Sequence, residues 1–558
     1  MKTKLFLLAT AVACASLAQA QPRITNVTNA ASYVAAGLPG AGIAQGSIFV
    51  VFGTNMGPAT LIQAGAPRPT AAGLSGTRVR ITAGAANFDA PMIYTSAGQV
   101  AAIMPSNVPV GPASVIVLFN DQASSPFPVA VVRFALGIFT LNSAGTGPGV
   151  VTDANYSPVT FTTAMNPGQV GIIWANGLGA VTPAEDISGA ITGAVLNPVQ
   201  VEVFIAGKPA TVLYSGRAPG FTGLDQINFT MPDVEGCAVP IAIRLNGGNG
   251  LVSNFVSTSV ARNGRVCRDR GFTEADLQSA ANGTVRFGVL SFSRSSQNQD
   301  IPGLGPTIIT TDVGSGNFFR FDYNTLIRSS SVAQPPAGAC TVSTFGGQNA
   351  PTDPALALIT PLDAGGSLAV TGPKGAKTLA RTLPGNYSAT LGGGGIPGLP
   401  SIPGVPAAQP EYLDPGQYTV TGTGGADVGA FTAQLTMPQP VTWTNAASIA
   451  NVARNQNLLI TWTGGVADDF VIVSGSSFQT TPQAGGFFIC YERAGAGQLT
   501  VPSWVLSTLP ISATISGVGT GQLSVGSASS NPPRFTASGI DIGVFSYSSS
   551  TGKGVNYQ

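Results

Sequence analysis

With no histidine among its 558 residues, this sequence leaves acid-base chemistry to carboxylates, lysines and tyrosines. Composition alone excludes Ser-His-Asp and Cys-His nucleophiles, imidazole-ligated metals and histidine acid-base catalysis. Two adjacent carboxylate pairs, Glu185-Asp186 and Asp468-Asp469, are the residues that could run a histidine-free glycoside hydrolysis. That reaction needs two carboxyls facing each other across roughly 5 to 10 Å, which adjacency in sequence does not supply. Both pairs sit in turn-like polar contexts, so solvated loops are the expectation, ahead of calcium ligation and of catalysis.

Two glycine-rich stretches raise the question of a phosphate cradle. Gly46-Ser-Ile-Phe-Val-Val-Phe-Gly-Thr-Asn-Met-Gly-Pro58 reads as a strand running into a glycine turn, and Gly372-Pro-Lys-Gly-Ala-Lys377 carries Lys374 and Lys377. Neither holds a G-x-x-x-x-G-K-[ST] or G-x-G-x-x-G pattern at the start of a helix. A strand-end turn is expected for the first and a hairpin turn for the second. No cofactor or metal site is expected.

Aromatic rings can stack on the apolar face of a sugar. Trp174 and Trp462 fall in apolar strand patterns and are expected in the core, which leaves Trp443 and Trp504 as the candidate ligand-contact aromatics. Tyr94 and Tyr214 are read as structural, with the hydroxyl capping backbone.

Lys2 and Lys4, the apolar run Leu5 to Ala13, and Ala18-Gln19-Ala20 together read as a signal peptide cleaved after Ala20. Acylation at Cys14 is a rival reading, but Ala11-Val12-Ala13 lacks the usual leucine. Cys237, Cys267, Cys340 and Cys490 remain after cleavage, and an even count in an exported chain points to disulfides with three pairings open. Nearness favours Cys237 with Cys267 and, by elimination, Cys340 with Cys490. A zinc site lacks both a C-x-x-C spacing and any histidine.

Charged residues make up 9% of the chain against a usual ~25%, and the formal net charge is +1. No basic stripe exists for nucleic acid, and beyond the leader no apolar run is long enough to span a membrane as a helix. At 44% apolar content, disorder is not expected either.

The elements that must position these residues read as β. Thr77-Arg-Val-Arg-Ile-Thr82 alternates, as do Val199 to Ile205 and Gln226 to Met231, between Gly, Pro and Asn turns. A repeat is also visible. Gly46 to Pro58 lies over Gly168-Gln-Val-Gly-Ile-Ile-Trp-Ala-Asn-Gly-Leu-Gly-Ala180 at an offset of 122, and Gln99 to Pro105 lies over Gln226 to Pro232 at 127. The second copy gains a loop near Arg217-Ala-Pro-Gly-Phe-Thr-Gly223. Units of about 110 to 125 residues fit tandem domains rather than a solenoid.

The order Thr28-Asn-Ala-Ala-Ser32, Gly42-Ile-Ala-Gln-Gly-Ser47, Phe52-Gly53, Met56-Gly57, Tyr94-Thr-Ser-Ala-Gly-Gln99, Gly137-Ile-Phe139, Gly177-Leu-Gly179 and Gln226-Ile-Asn228 resembles the Solibacter-type module of secreted acidobacterial proteins, over residues 24 to 262. The resemblance implies tandem IPT/TIG-type immunoglobulin-like domains and an exported chain, and supplies no catalytic residue. Residues 340 to 558 also resemble a region of such secreted proteins.

The expected fold is all-β: tandem immunoglobulin-like β-sandwich domains at 21–136 and 137–262, a connector with a short helix at 263–350, and β-sandwich-like domains at 351–439 and 440–558. The helix is placed at Phe272 to Ala281 with Thr273 as N-cap and Gly283 as stop. A Gly/Pro-rich loop is read at Gly392 to Pro410. The functional expectation is an exported, non-catalytic protein of adhesion, matrix or glycan binding, whose partner is an extracellular glycan or cell-surface protein. The alternative is a secreted polysaccharide-active enzyme with carboxylate catalysis in the C-terminal half.

Overall fold

The computed structural model describes residues 21–184, 194–197, 199–245, 251–269, 271–301, 305–329, 334–346, 359–395, 408–515 and 518–558. The leader, the Glu185-Asp186 pair and residues 396–407 of the Gly/Pro-rich stretch lie outside them.

The first unit packs two antiparallel layers face to face. One holds β1 (Arg23–Asn29), β2 (Ile48–Thr54), β4 (Met92–Thr95) and β5 (Gln99–Ile103); the other holds β3 (Thr77–Ala83), β6 (Gly111–Phe119) and β7 (Phe127–Val132). Inward residues alternate along each strand, and Phe49, Val51, Val79, Ile81, Val100, Val115 and Val117 form the core between the layers. The second unit repeats the plan with β8 (Val170–Asn176), β9 (Val201–Ile205), β10 (Lys208–Arg217), β11 (Asp225–Thr230), β12 (Gly236–Leu245) and β13 (Val256–Val260). Here β10 bends between layers, pairing first with β9 and then with β11.

The repeat holds at the level of register. Phe52 faces Gln99 as Trp174 faces Gln226, and Ile48 faces Ile103 as Val170 faces Thr230. Tyr94 and Tyr214 each follow a bulge two residues after Met92 and Val212. The Tyr214 hydroxyl donates to the Arg217 carbonyl at 2.7 Å, while the Tyr94 hydroxyl accepts from the Gln99 amide at 2.6 Å. Trp174 is half-buried beside Tyr156 rather than enclosed in the core.

Two buried asparagines join the units. Asn29 accepts from the N–H groups of Ala31 and Ser32 and donates to the Ala135 carbonyl at 2.7 Å. Asn176 accepts from the Ile48 N–H at 2.9 Å and donates to the Ile48 carbonyl at 2.7 Å, so β8 of one unit clasps β2 of the other. The loop gained by the second copy completes the joint, with Gly223 lying against Ile48 and Ile103. Its first residue, Arg217, is buried and paired with buried Asp225 at 2.5 Å.

The segment 263–350, expected as a connector, is instead mostly strand. Its helix α1 (Glu274–Ala281) forms where expected, with Thr273 and Asp276 bonded reciprocally in a capping box and Asn282 as the C-cap. Then β14 (Thr284–Ile301) and β15 (Gly305–Asp322) make a long hairpin at the centre of a fifteen-stranded sheet. Strict alternation fails along β14 because different faces are covered in turn. Val285 and Phe287 pack beneath α1, and Leu290 and Phe292 enter the core on the other side.

Besides three short strands off its path, the rest of the sheet comprises β16 (Cys340–Gly346), β17 (Ser367–Gly372), β18 (Gly375–Leu383), β19 (Asn386–Gly393), β20 (Gly416–Gly422), β21 (Phe431–Met437), β22 (Phe470–Thr480), β23 (Gln483–Arg493), β24 (Gly521–Ala528) and β25 (Ile542–Tyr557). Its path is β16-β23-β22-β24-β25-β14-β15-β19-β18-β17-β20-β21. The final strand, β25, is therefore central. Phe545 and Tyr547 serve one core with Leu368, Val420 and Phe292, while Val555 and Tyr557 serve another with Val342, Phe488 and Trp462. The stretches 351–439 and 440–558 consequently share one sheet.

Two disulfides are present. Cys237–Cys267 ties β12 to the segment leading into α1, and Cys340–Cys490 joins directly opposed residues of β16 and β23. No helix among the described residues is long and apolar enough to cross a membrane.

Candidate functional site

The sequence candidates are mostly absorbed by structure. Trp443 is 8% exposed and donates to Asn445 at 2.9 Å, and Trp504 stacks on Phe204 and Phe255 where the second unit meets the C-terminal half. Both were the candidates for ligand contact; core and interdomain packing engage them. Trp462 is buried, as its strand pattern implies.

Gly46, ahead of the strand, turns with positive φ against Ala180 and Arg217, while Gly53 and Gly57 beyond it lie against the Arg23 carbonyl and Thr95, so neither end of Gly46 to Pro58 is an open cradle. Pro373 and Lys374 form the two-residue turn between β17 and β18, with Lys374 bound to Asp414 at 2.8 Å. Among the described residues no group of three or more His, Cys, Asp or Glu could hold a metal ion.

Of the candidate carboxylates in the C-terminal half, Asp468 is exposed and the others are engaged. Asp469 accepts from the Ser530 N–H at 2.9 Å and the Tyr547 hydroxyl at 2.5 Å, and Asp363 pairs with Arg381. Asp312 is fully buried, held by Arg294 through two bonds of 2.7 Å and by the N–H groups of Tyr412 and Leu413. Burial alone would raise the Asp312 carboxyl, yet these hydrogen bonds outweigh it and hold it below the ordinary carboxylate value.

Because the folded value lies below the unfolded one, this contribution is complete above the unfolded value of about 3.9 and is lost as pH falls through the folded value. Melting midpoints taken from about pH 6 down to about pH 2 are expected to drop below pH ~4. Asp312→Asn should start lower and flatten that drop. Equal acid slopes for the two proteins would refute the assignment.

What remains open is the outward face of the large sheet. Side chains of directly paired residues share a face, so the register identifies it. On β16, β22 and β23 it carries Phe345, Phe478 and Phe487 among Ser343, Ser474 and Ser476. Phe345 is 44% exposed and Phe487 38%. The Phe345 ring lies against Gly485, where an added Cβ would come within 2.5 Å of it. Its plane is within 11° of Phe478, with ring centroids 6.3 Å apart. Three apolar rings thus tile one end of the face.

Beyond the tile, one row runs through Tyr491, Ile472, Gly526, Ser550, Ser295 and Thr311. Parallel rows add Ser548 beside Ser293, and Ser546 beside Ser291 and Ser315. These hydroxyl residues are exposed or half-buried, alternating with buried neighbours. Charged residues of the same strands, such as Arg294, Asp312, Lys377 and Lys553, hold inward-register positions. The exception, Arg493, lies over the Phe470 ring at 5.2 Å and donates to the Asp468 carbonyl. Sequence reasoning missed this site. Its signal was the Ser/Thr alternation of β14 and β25, legible only once the strands are paired.

The chain is an all-β protein, with a tandem pair of two-layered sandwich units followed by one large sheet. No protein-family model and no curated protein matches it. Among solved structures it is similar to SGBP-B of the Bacteroides ovatus mixed-linkage glucan utilization locus in complex with a mixed-linkage heptasaccharide, at 9% identity over 80% of this chain and 91% of that one, with a TM-score of 0.15. It is also similar to Sidekick-1 immunoglobulin domains 1-5 (9% identity, 92% and 100% covered, TM-score 0.12) and to domains 4-9 of the surface layer protein SbsC (10%, 94% and 83%, TM-score 0.18). At these TM-scores the domain arrangement is not shared. The fold class rests on the strand order and cores described above.

Proposed function

We propose that this protein is an exported, non-catalytic binding protein that holds a neutral extracellular glycan on the outward face of its C-terminal sheet. The observation that supports this most is the tile of Phe345, Phe478 and Phe487 on an uncharged, hydroxyl-bearing surface. Sugar rings offer an apolar face to aromatic rings and hydroxyls to serine and threonine, which both donate and accept. The two disulfides fit an oxidising, extracellular setting. The Solibacter-type resemblance of residues 24 to 262 fits the same compartment.

The enzymatic alternative needs two facing carboxyls at an open cleft. Asp312, Asp363, Asp414 and Asp469 are taken by Arg294, Arg381, Lys374 and Tyr547, which favours binding without turnover.

Affinity electrophoresis and an oligosaccharide array test the reading. Saturable binding to a neutral glycan is expected, with no reducing ends released. Phe345→Ala and Phe487→Ala should each weaken it about tenfold, equivalent to ~1.4 kcal/mol. Unchanged affinity in the double variant, or turnover of the bound glycan, would overturn the proposal.

A further inference from the structure

We infer that the outward face is built for the surface of an insoluble neutral polysaccharide, with several chains lying side by side, rather than for one soluble chain. The inference rests on the glycan reading above and names the ligand class of that site.

Breadth is the first ground. Seven adjoining strands from β23 to β19, the last through Ser388 opposite Ser315, contribute to the hydroxyl rows, and six strand spacings extend for about 30 Å. One glycan chain needs a strip only one or two side chains wide. Adjacent strands stand about 4.8 Å apart, close to the length of one sugar unit in an extended chain. A chain crossing the strands meets a fresh hydroxyl or ring at each unit, and neighbouring chains meet the neighbouring rows.

Relief is the second ground. Tight recognition of a soluble chain uses a concave site that buries most of the ligand. Around Ser550 the outward positions are small: Gly526 and Gly552 adjoin it and Ala528 stands beside Ser548, with Gln297 beside Gly552 the larger neighbour. A cavity of about 270 Å³ between Phe272, Phe287 and Leu326 lies at the α1 end of the same face, reaching the field at Ser546 and away from the tile.

Chemistry is the third. Each serine–sugar hydrogen bond exchanges with water and is worth little alone, so a hydroxyl field binds usefully only when many contacts form together. A polymer surface supplies that multiplicity and a short oligosaccharide does not. The absence of lysine, aspartate and glutamate from the outward register matches an uncharged partner and disfavours uronic or sulfated polymers.

Sedimentation with microcrystalline cellulose, insoluble chitin and curdlan, beside calorimetry with soluble oligosaccharides of the same linkages, tests the inference on the full chain. At least one solid should bind the protein tenfold or more tightly than its soluble counterpart. Ser550→Lys stands a charge in the middle of the field, and Ser524→Lys does so on the adjacent strand. Each should reduce binding to the solid at least tenfold, with melting curves confirming the fold. Wild-type binding of the solid by both lysine variants would overturn the inference and leave the glycan reading standing. Failure to bind either solid or soluble glycan would overturn both.

Discussion

Replacing Arg217 by alanine is expected to lower the stability of the N-terminal pair of domains by about 3–5 kcal/mol, since it leaves a fully buried carboxylate without its cation. Asp225 is 0% exposed and Arg217 1%. Burial pushes the Asp225 carboxyl up, against the pull of Arg217 and the Leu178 N–H. The pair also fixes backbone: Arg217 donates to the Gly179 carbonyl at 3.0 Å, and Asp225 accepts from the Leu178 N–H at 2.9 Å. Gly177-Leu-Gly179 is thereby pinned against the linker, where the Ala135 N–H donates to the Gly177 carbonyl. Losing the pair should loosen the linker as well as the second core.

Calorimetry should show a midpoint lowered on the order of 10 °C, and limited proteolysis should cut near residues 133–137 first. Arg217→Met with Asp225→Leu should recover much of the loss, because an apolar pair removes the desolvation penalty instead of exposing it. An Arg217→Ala protein melting with the wild type would show that the pair is not what holds the joint.

The same joint marks what was legible in sequence. Gly46 to Pro58 and its copy were readable as strand and turn because glycine at positive φ and alternating apolar residues are local signals. That Asn29 and Asn176 join the copies was not, since a buried asparagine looks like any loop asparagine until its partners are placed. In the C-terminal half the alternation rule failed at β14, where Phe287 and Phe292 serve opposite faces. At β25 alternation holds, yet Phe545 and Tyr547 serve one core and Val555 and Tyr557 another from the same face. The proposed surface was invisible for a related reason: Ser550 lies about 240 residues from Ser295 and Thr311 and meets them through strand pairing. Trp443 and Trp504 misled because ring type signals a sticky side chain without saying which surface it sticks to.

Removing the Cys340–Cys490 disulfide, by Cys340→Ser with Cys490→Ser, is expected to cost the C-terminal half about 5 kcal/mol, from the chain entropy of a loop of roughly 150 residues. The shorter Cys237–Cys267 bridge, separated by 30 residues, should cost about 3.5 kcal/mol on the same reasoning. The larger value carries a functional consequence through β16. Among the described residues that strand forms one edge of the sheet and pairs with β23, so without the bond it is held by that ladder and by the packing of Val342. Phe345, at the far end of β16, gives the tile its most exposed ring. Fraying of β16 should therefore remove Phe345 from Phe478 before the core unfolds, and glycan affinity should fall toward that of Phe345→Ala at temperatures where circular dichroism is still native. Hydrogen exchange should show β16 amides losing protection while those of β22 and β24 keep theirs. If the double serine variant melts lower yet binds glycan as tightly as the wild type, then the ladder suffices to hold β16, and the disulfide acts on stability alone.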